Sequence, residues 1–251
     1  MESLVLTYLT AVQALQRRIA EENAEQLAAG GEAIADQLAQ DRLVHVIGTG
    51  GHSAIGAEEV HHRAGGFVQI NAILDAGLSL SNGSLRSGAI ERTPGYATAL
   101  LKYNDVRDGD LLIINNAYGI NAATIDSALY CREHGVRTIG LTSIELQREL
   151  PSGHASRHPS GQNLCDLVDI VVDTKVPMGD AIVTVQGVTQ KVGPCSTLLN
   201  VFAMNALMIE ATAALARRGI DPKIWKSGNA PGGDEANQAF VDEFKYRIKK
   251  L

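Results

Sequence analysis

Aromatic residues make up only 4% of this 251-residue chain, with a single tryptophan. So small a supply excludes the stacking platforms that grip bases or long glycans. Cysteine is scarce too. Cys131, Cys165 and Cys195 stand far apart with no C-x-x-C pair, which excludes a disulfide frame and points to a reduced, cytoplasmic chain. Basic charge falls short of acidic charge, 22 Lys and Arg against 28 Asp and Glu. A net charge of −6 argues against nucleic acid as a partner. No long apolar run is free of polar interruption. The most apolar stretch, Leu198 to Ala216, carries Asn200, Asn205 and Glu210, which suits a buried helix and not a membrane span. Glu2 and the early polar residues break up the core a secretory leader would need, so no leader is expected.

What is present is alternation. Short apolar runs at 44–47, 67–73, 111–115, 138–142 and 170–173 read as strands. Helical patterns fill the gaps at 54–64, 94–103, 121–134 and 144–149. Such a β–α alternation predicts a parallel sheet with helices on both faces, an α/β fold. Residues 3–40 read as helical, with a break or bend at Gly30-Gly31. A long apolar helix is expected over 196–218; with apolar residues nearly all round, it must be covered on two sides. The stretches 74–93 and 150–165 read as irregular loops. The whole, 1–251, is expected to be one domain: a helical segment 1–40, a core 41–218 and a tail 219–251.

The sharpest local signal is Leu43-Val-His-Val-Ile-Gly-Thr-Gly-Gly-His-Ser53. An apolar strand stops at a glycine loop, and a helix follows. Glycines let the backbone approach a ligand, and free N–H groups at a helix start favour an anion. No Gly-Lys-Ser/Thr closes the loop, so it is not a Walker loop. A dinucleotide fingerprint is incomplete, because Ser53 stands where the third small residue belongs and only Asp75 offers a ribose ligand. Gly48, Thr49, Gly50, Gly51, His52 and Ser53 are therefore candidate anion ligands, with Ser53 expected to cap the helix.

Other polar clusters follow the strand ends, where ligands bind on parallel sheets. Glu58, Glu59 and His62 crowd the helix after the loop, at spacings suited to proton transfer or to a solvated face. Asn116, Tyr118, Gly119 and Asn121 form a polar turn after the third strand, either a sugar site or a plain Asn-rich turn. Thr142 and Ser143 end the fourth strand. His154 and His158 sit in the next loop; both can serve in acid–base chemistry, and His158 is taken as the catalytic candidate. Ser196 and Thr197 can cap the long helix. Cys195 has no neighbouring base and reads as structural. Arg86 and Arg92 can hold a phosphate bidentately; Arg86 is counted with the ligand set.

Together Gly48-Thr-Gly-Gly-His-Ser53, the turn after the third strand, Leu141-Thr-Ser143 and Pro194-Cys-Ser-Thr197 resemble the SIS (sugar isomerase) domain. The stretches Glu91-Arg-Thr-Pro-Gly-Tyr-Ala97, His158–Leu164, Pro177-Met-Gly-Asp180 and Asn229-Ala-Pro-Gly-Gly-Asp-Glu235 are similar to a phosphosugar-binding, phosphoheptose-isomerase-like subfamily. The resemblance implies a flavodoxin-like αβα sandwich with a five-stranded parallel sheet. It also implies a phosphorylated sugar as ligand, and a homodimer or homotetramer with sites near subunit interfaces. It implies an aldose–ketose isomerase working through a cis-enediol, with Glu58 or Glu59 as base and His62 or His158 moving protons. A phosphosugar lyase or etherase and a non-catalytic phosphosugar sensor are the alternatives. No cofactor is expected. No metal is expected either, because the metal positions of phosphoheptose isomerases fall on Glu59 and Arg63 here.

Overall fold

A computed structural model describes residues 3–251; Glu2, on which the expectation of no leader rests, lies outside them. Five parallel strands form the central sheet: β1 (Val44–Gly48), β2 (Ile70–Ala72), β3 (Leu111–Asn115), β4 (Arg137–Thr142) and β5 (Ile170–Asp173). Their spatial order is β2-β1-β3-β4-β5, the flavodoxin-like order expected from the resemblance. Strand residues divide by parity. Val44, Val46, Leu111 and Ile113 join one core; Ile47, Leu112 and Ile114 join the other. A sheet buried on both faces explains why the strands read as unbroken apolar runs.

The first core is covered by α1 (Leu4–Glu22), α2 (Ala24–Ala39), the short α3 (Ala54–Glu59) and the long α8 (Ser196–Arg217). The second is covered by α5 (Tyr96–Tyr103) and α6 (Ala122–Glu133). The short α7 (Ile144–Glu149) follows β4 and buries Leu146 in the first core. The chain does not break at Gly30-Gly31. It breaks at Asn23, whose amide bonds the Ile19 carbonyl at 2.9 Å and exchanges two bonds with the Asp173 backbone at 2.8 and 3.1 Å. The two glycines instead lie inside α2 because α8 passes so close. A Cβ at Gly30 would stand 2.5 Å from Leu207 Cδ2, and one at Gly31 2.6 Å from Glu210 Cβ.

Four further features differ from the expectation. α3 stops at Glu59, not at 64, because His62 takes a left-handed φ of 47° and Gly65-Gly66 pair with the Trp225 backbone at 2.9 and 3.0 Å. The stretch 74–93 is not wholly irregular: α4 (Ser84–Ile90) forms there. A hairpin of β6 (Ala181–Val183) and β7 (Val192–Pro194) was not anticipated, nor was α9 (Gly233–Phe244) in the tail. That tail packs Trp225, Phe244 and Ile248 against Val68. α8 is apolar enough to span a membrane by composition, yet it lies against α1, α2, α3 and β4.

Candidate functional site

The sheet order reverses between β1 and β3, and a cavity of about 410 Å³ opens beyond their carboxyl ends. Its floor is the glycine loop. Gly48 must lack a Cβ, since one would collide with the Ser53 carbonyl. That carbonyl accepts from Asn115 Nδ2 at 2.8 Å, and Thr49 N donates to the Asn115 carbonyl at 3.2 Å. The Thr49 carbonyl accepts from the amides of Asn116 and Asn121, both at 3.2 Å. The Thr49 hydroxyl meets the Thr124 hydroxyl at 2.5 Å.

Pinned this way, the loop leaves four successive backbone N–H groups, those of Gly50, Gly51, His52 and Ser53, without an acceptor among the described residues. All four residues line the cavity. Unpaired backbone donors on residues that line a cleft are what an anion needs. Ser53 is not a helix cap. Its backbone is already helical, φ −67° and ψ −28°, and its side chain makes no capping bond.

The second wall comes from the β3–α6 turn. Asn116, Tyr118 and Asn121 reach the cavity, but the two asparagines spend most of their bonding on the fold. Asn116 Oδ1 accepts from the N–H groups of Tyr118 and Gly119 at 3.1 and 2.9 Å. Asn121 Oδ1 caps α6 through Thr124 N at 2.9 Å. Burial pushes the Tyr118 hydroxyl above its ordinary pKa. Behind this turn, Thr49, Gly119, Thr142 and Ser143 are supports and not part of the cavity lining. Thr142 Oγ1 accepts from Gln147 at 2.9 Å, and Ser143 Oγ donates to the Val176 carbonyl at 2.8 Å.

The third wall is the start of α8. Ser196 and Thr197 line the cavity as expected, but the helix start is already occupied by a carboxylate. Asp180 Oδ1 accepts from Cys195 N and Ser196 N at 2.9 and 2.7 Å, and Asp180 Oδ2 accepts from Ser196 Oγ at 2.9 Å. An internal anion at the positive end of a helix leaves little for an external one. Burial and Asp180 raise the Cys195 thiol to about 12, as a structural cysteine should be.

Several candidates lie elsewhere. Glu58 and His62 are exposed, and His62 packs edge-on against Trp225, 4.4 Å between ring centres. Glu59 pairs with Arg63 at 3.1 Å and accepts from Asn205 at 3.2 Å. Arg86 donates to the Ala76 carbonyl at 2.9 Å. His158 pins its loop: Nδ1 accepts from Ser160 N at 3.1 Å, and Nε2 stands 3.2 Å from Asp126 Oδ1. None of these five lines the cavity within one chain. Asp75, the ribose-ligand candidate, instead accepts from Gly77 N, Leu78 N and the Tyr96 hydroxyl at 2.7, 3.1 and 2.7 Å.

Two residues named from the sequence, Arg92 and His154, do reach the cavity, with Glu91 and Ser156 beside them. Glu91 and Arg92 enter the cavity from the end of α4, and His154 and Ser156 from the 150–165 loop. A Cβ on Gly50 would stand 2.5 Å from Glu91 Oε2, so this carboxyl lies against the glycine loop. Burial raises the Glu91 pKa, with Arg92 pulling the other way. His154 Nδ1 accepts from Ser156 N at 3.2 Å, which leaves Nε2 to carry the ring proton. Asn200 also lines the cavity. Arg92 was expected to hold a phosphate; Glu91 carried no such expectation, and its one signal was the Glu91–Ala97 stretch.

A family model described as the SIS domain matches residues 7–143. A UPF0309 protein of Geobacillus thermodenitrificans is 36% identical over 227 residues, covering 90% of this chain and 89% of that one. Another, from Halalkalibacterium halodurans, is 32% identical over 248 residues, covering 99% and 97%. Among solved structures, a phosphoheptose isomerase of Neisseria gonorrhoeae superimposes with a TM-score of 0.56 at 14% identity, over 84% of this chain and 97% of that one. One from Francisella tularensis gives 0.51 at 14% identity, over 85% and 100%. At such identity the two structures speak for the fold alone.

Proposed function

The chain belongs to the SIS-domain family, and from that premise we propose that its cleft binds a phosphorylated sugar and interconverts its aldose and ketose forms. The observation that carries the reading is one juxtaposition. Four unpaired N–H groups at Gly50–Ser53 share a cavity with a carboxyl, that of Glu91, whose pKa burial has raised. The first suits a phosphate dianion; the second suits a group that must both take and return a proton near neutral pH.

The chemistry runs on the ring-opened sugar. Glu91 removes the proton from the carbon next to the carbonyl, leaving a cis-enediol, and returns it to the adjacent carbon. His154, with its proton on Nε2, exchanges protons between the two oxygens. Arg92 and the Ser53 hydroxyl support the phosphate beside the backbone donors. This assignment moves the acid–base role from Glu58, Glu59, His62 and His158 to Glu91 and His154, because the former do not line the cleft of one chain.

The test is exchange in deuterated water with a panel of aldose and ketose phosphates. Deuterium entering at C1 or C2 is the expected result. Tight binding with no exchange would sink the isomerase in favour of a sensor, and release of an acid such as lactate would make the protein a lyase. We further propose self-association through the outer side of α1 and α8, where Val5, Leu6, Leu198 and Ile209 stand 75%, 58%, 44% and 67% exposed. Its three free thiols support a reducing, cytoplasmic setting.

A further inference from the structure

The wall of the cleft made by α8 carries one polar group that the fold does not explain. Asn200 is only 4% exposed, yet it lines the cavity and its Oδ1 has no hydrogen-bond partner. Buried polar groups in a folded chain are nearly always paired, so an orphan in a cleft calls for its own account. Its surroundings sharpen the case. Three residues earlier on α8, and so on the same side of the helix, Thr197 also lines the cavity. Ser196 gives its hydroxyl to Asp180; Thr197 makes no such bond. Asn200 and Thr197 thus form a neutral rung, unspent by the protein, facing the space above the glycine loop.

The chemistry of the rung limits what it can take. The phosphate already has four backbone donors at Gly50–Ser53. An amide offers a donor and an acceptor and can turn about χ2 to present either one; a threonine hydroxyl gives and takes as well. A phosphate or carboxylate oxygen only accepts, and would suit a single orientation of the pair. A sugar hydroxyl gives and accepts, and fits both.

We propose that Asn200, with Thr197, is the residue that reads the hydroxylated carbons of the ligand and so separates a sugar phosphate from phosphate itself. This rests on the phosphosugar reading of the cleft given above. The orphaned amide is the cost the empty protein carries for that selectivity. Removing it should relieve the free protein while weakening the complex, a pair of effects that a purely structural asparagine would not produce.

The experiment titrates wild type, Asn200→Leu and Thr197→Val with inorganic phosphate, ribose 5-phosphate, glucose 6-phosphate and sedoheptulose 7-phosphate, and records the Tm of each free protein. The expected wild type binds at least one sugar phosphate tenfold or more tighter than inorganic phosphate. In Asn200→Leu that advantage is lost, inorganic phosphate binds as before, and Tm is unchanged or higher. Thr197→Val loses part of the advantage at unchanged Tm, and decides the matter should Asn200→Leu not fold. An advantage kept in the variants overturns the proposal. So does a wild type that binds inorganic phosphate but no sugar phosphate, which leaves the anion cradle standing. A wild type that binds neither overturns the reading of the cleft as well.

Discussion

Glu91 is caught between two demands. Its carboxyl lies against Gly50, where burial favours the protonated form, while the proposed reaction needs the ionised one. Because the folded state holds this proton more tightly than the unfolded chain, stability is highest below the ordinary carboxylate range. It falls as pH rises from there to the raised folded pKa. Glu91→Gln should therefore melt at a higher temperature than wild type at pH 7, with the gap closing near pH 4. Isotope exchange should drop by about 10²–10⁴-fold. A variant that exchanges normally would return the base to another residue. Gly48 is the other decisive position. Alanine there drives a Cβ into the Ser53 backbone, which cannot swing aside as a side chain can. Gly48→Ala should cost about 1–3 kcal/mol in denaturant melts and abolish phosphate binding by calorimetry, since the four free N–H groups depend on that turn.

Elements show where local pattern and tertiary contact disagree. A glycine pair inside a helix reads as a break, because each costs about 1 kcal/mol against alanine. In α2 both are kept because α8 lies where their side chains would be. Gly31→Ala should therefore destabilise despite its better helix propensity, by about 1–3 kcal/mol, measurable as a lower denaturant midpoint at unchanged slope. The 150–165 loop shows the converse. Its composition reads as irregular, yet Arg157 ties it to the carbonyls of Gln147, Leu150 and Pro151 at 2.8, 2.8 and 2.9 Å, and His158 pins it to Asp126. Asp126→Asn should loosen this loop, seen as faster proteolysis within it, and should weaken any ligand that His154 touches.

At the scale of the molecule, α8 serves two surfaces at once. Its inner side fills the core through Leu199, Ala203, Leu207 and Ala211, its first turn lines the cleft, and Ile209 faces outward. Substituting Ile209→Lys should shift the protein toward monomer in light scattering at micromolar concentration without lowering Tm, because that side chain stands 67% exposed in its own chain. A monomeric wild type would remove the interface proposal and leave the cleft unaffected.

Most of the architecture was legible because it follows from periodicity and from turn chemistry. Apolar strands buried on both faces read as unbroken runs, and a glycine loop between strand and helix marks a candidate anion site. Those properties belong to neighbours in the chain, so Gly50, Gly51 and Ser53 could be named before any coordinates. The carboxyl that lies against this loop could not. Glu58 and His62 looked apt because they follow the loop in sequence, but α3 is only six residues long, and the chain turns away after it to meet Trp225. Glu91 reaches the loop from some forty positions on, carried there by α4, and Asn200 from about 150 positions on, carried by α8. The sequence by itself determined the five strands of the parallel sheet, the α/β fold and the glycine loop after β1, since each is set by local spacing. Tertiary structure alone decided which carboxyl faces that loop, which helix start was already filled by Asp180, and which amide oxygen lining the cleft was left without a partner. Those outcomes depend on distances between segments that no local pattern encodes.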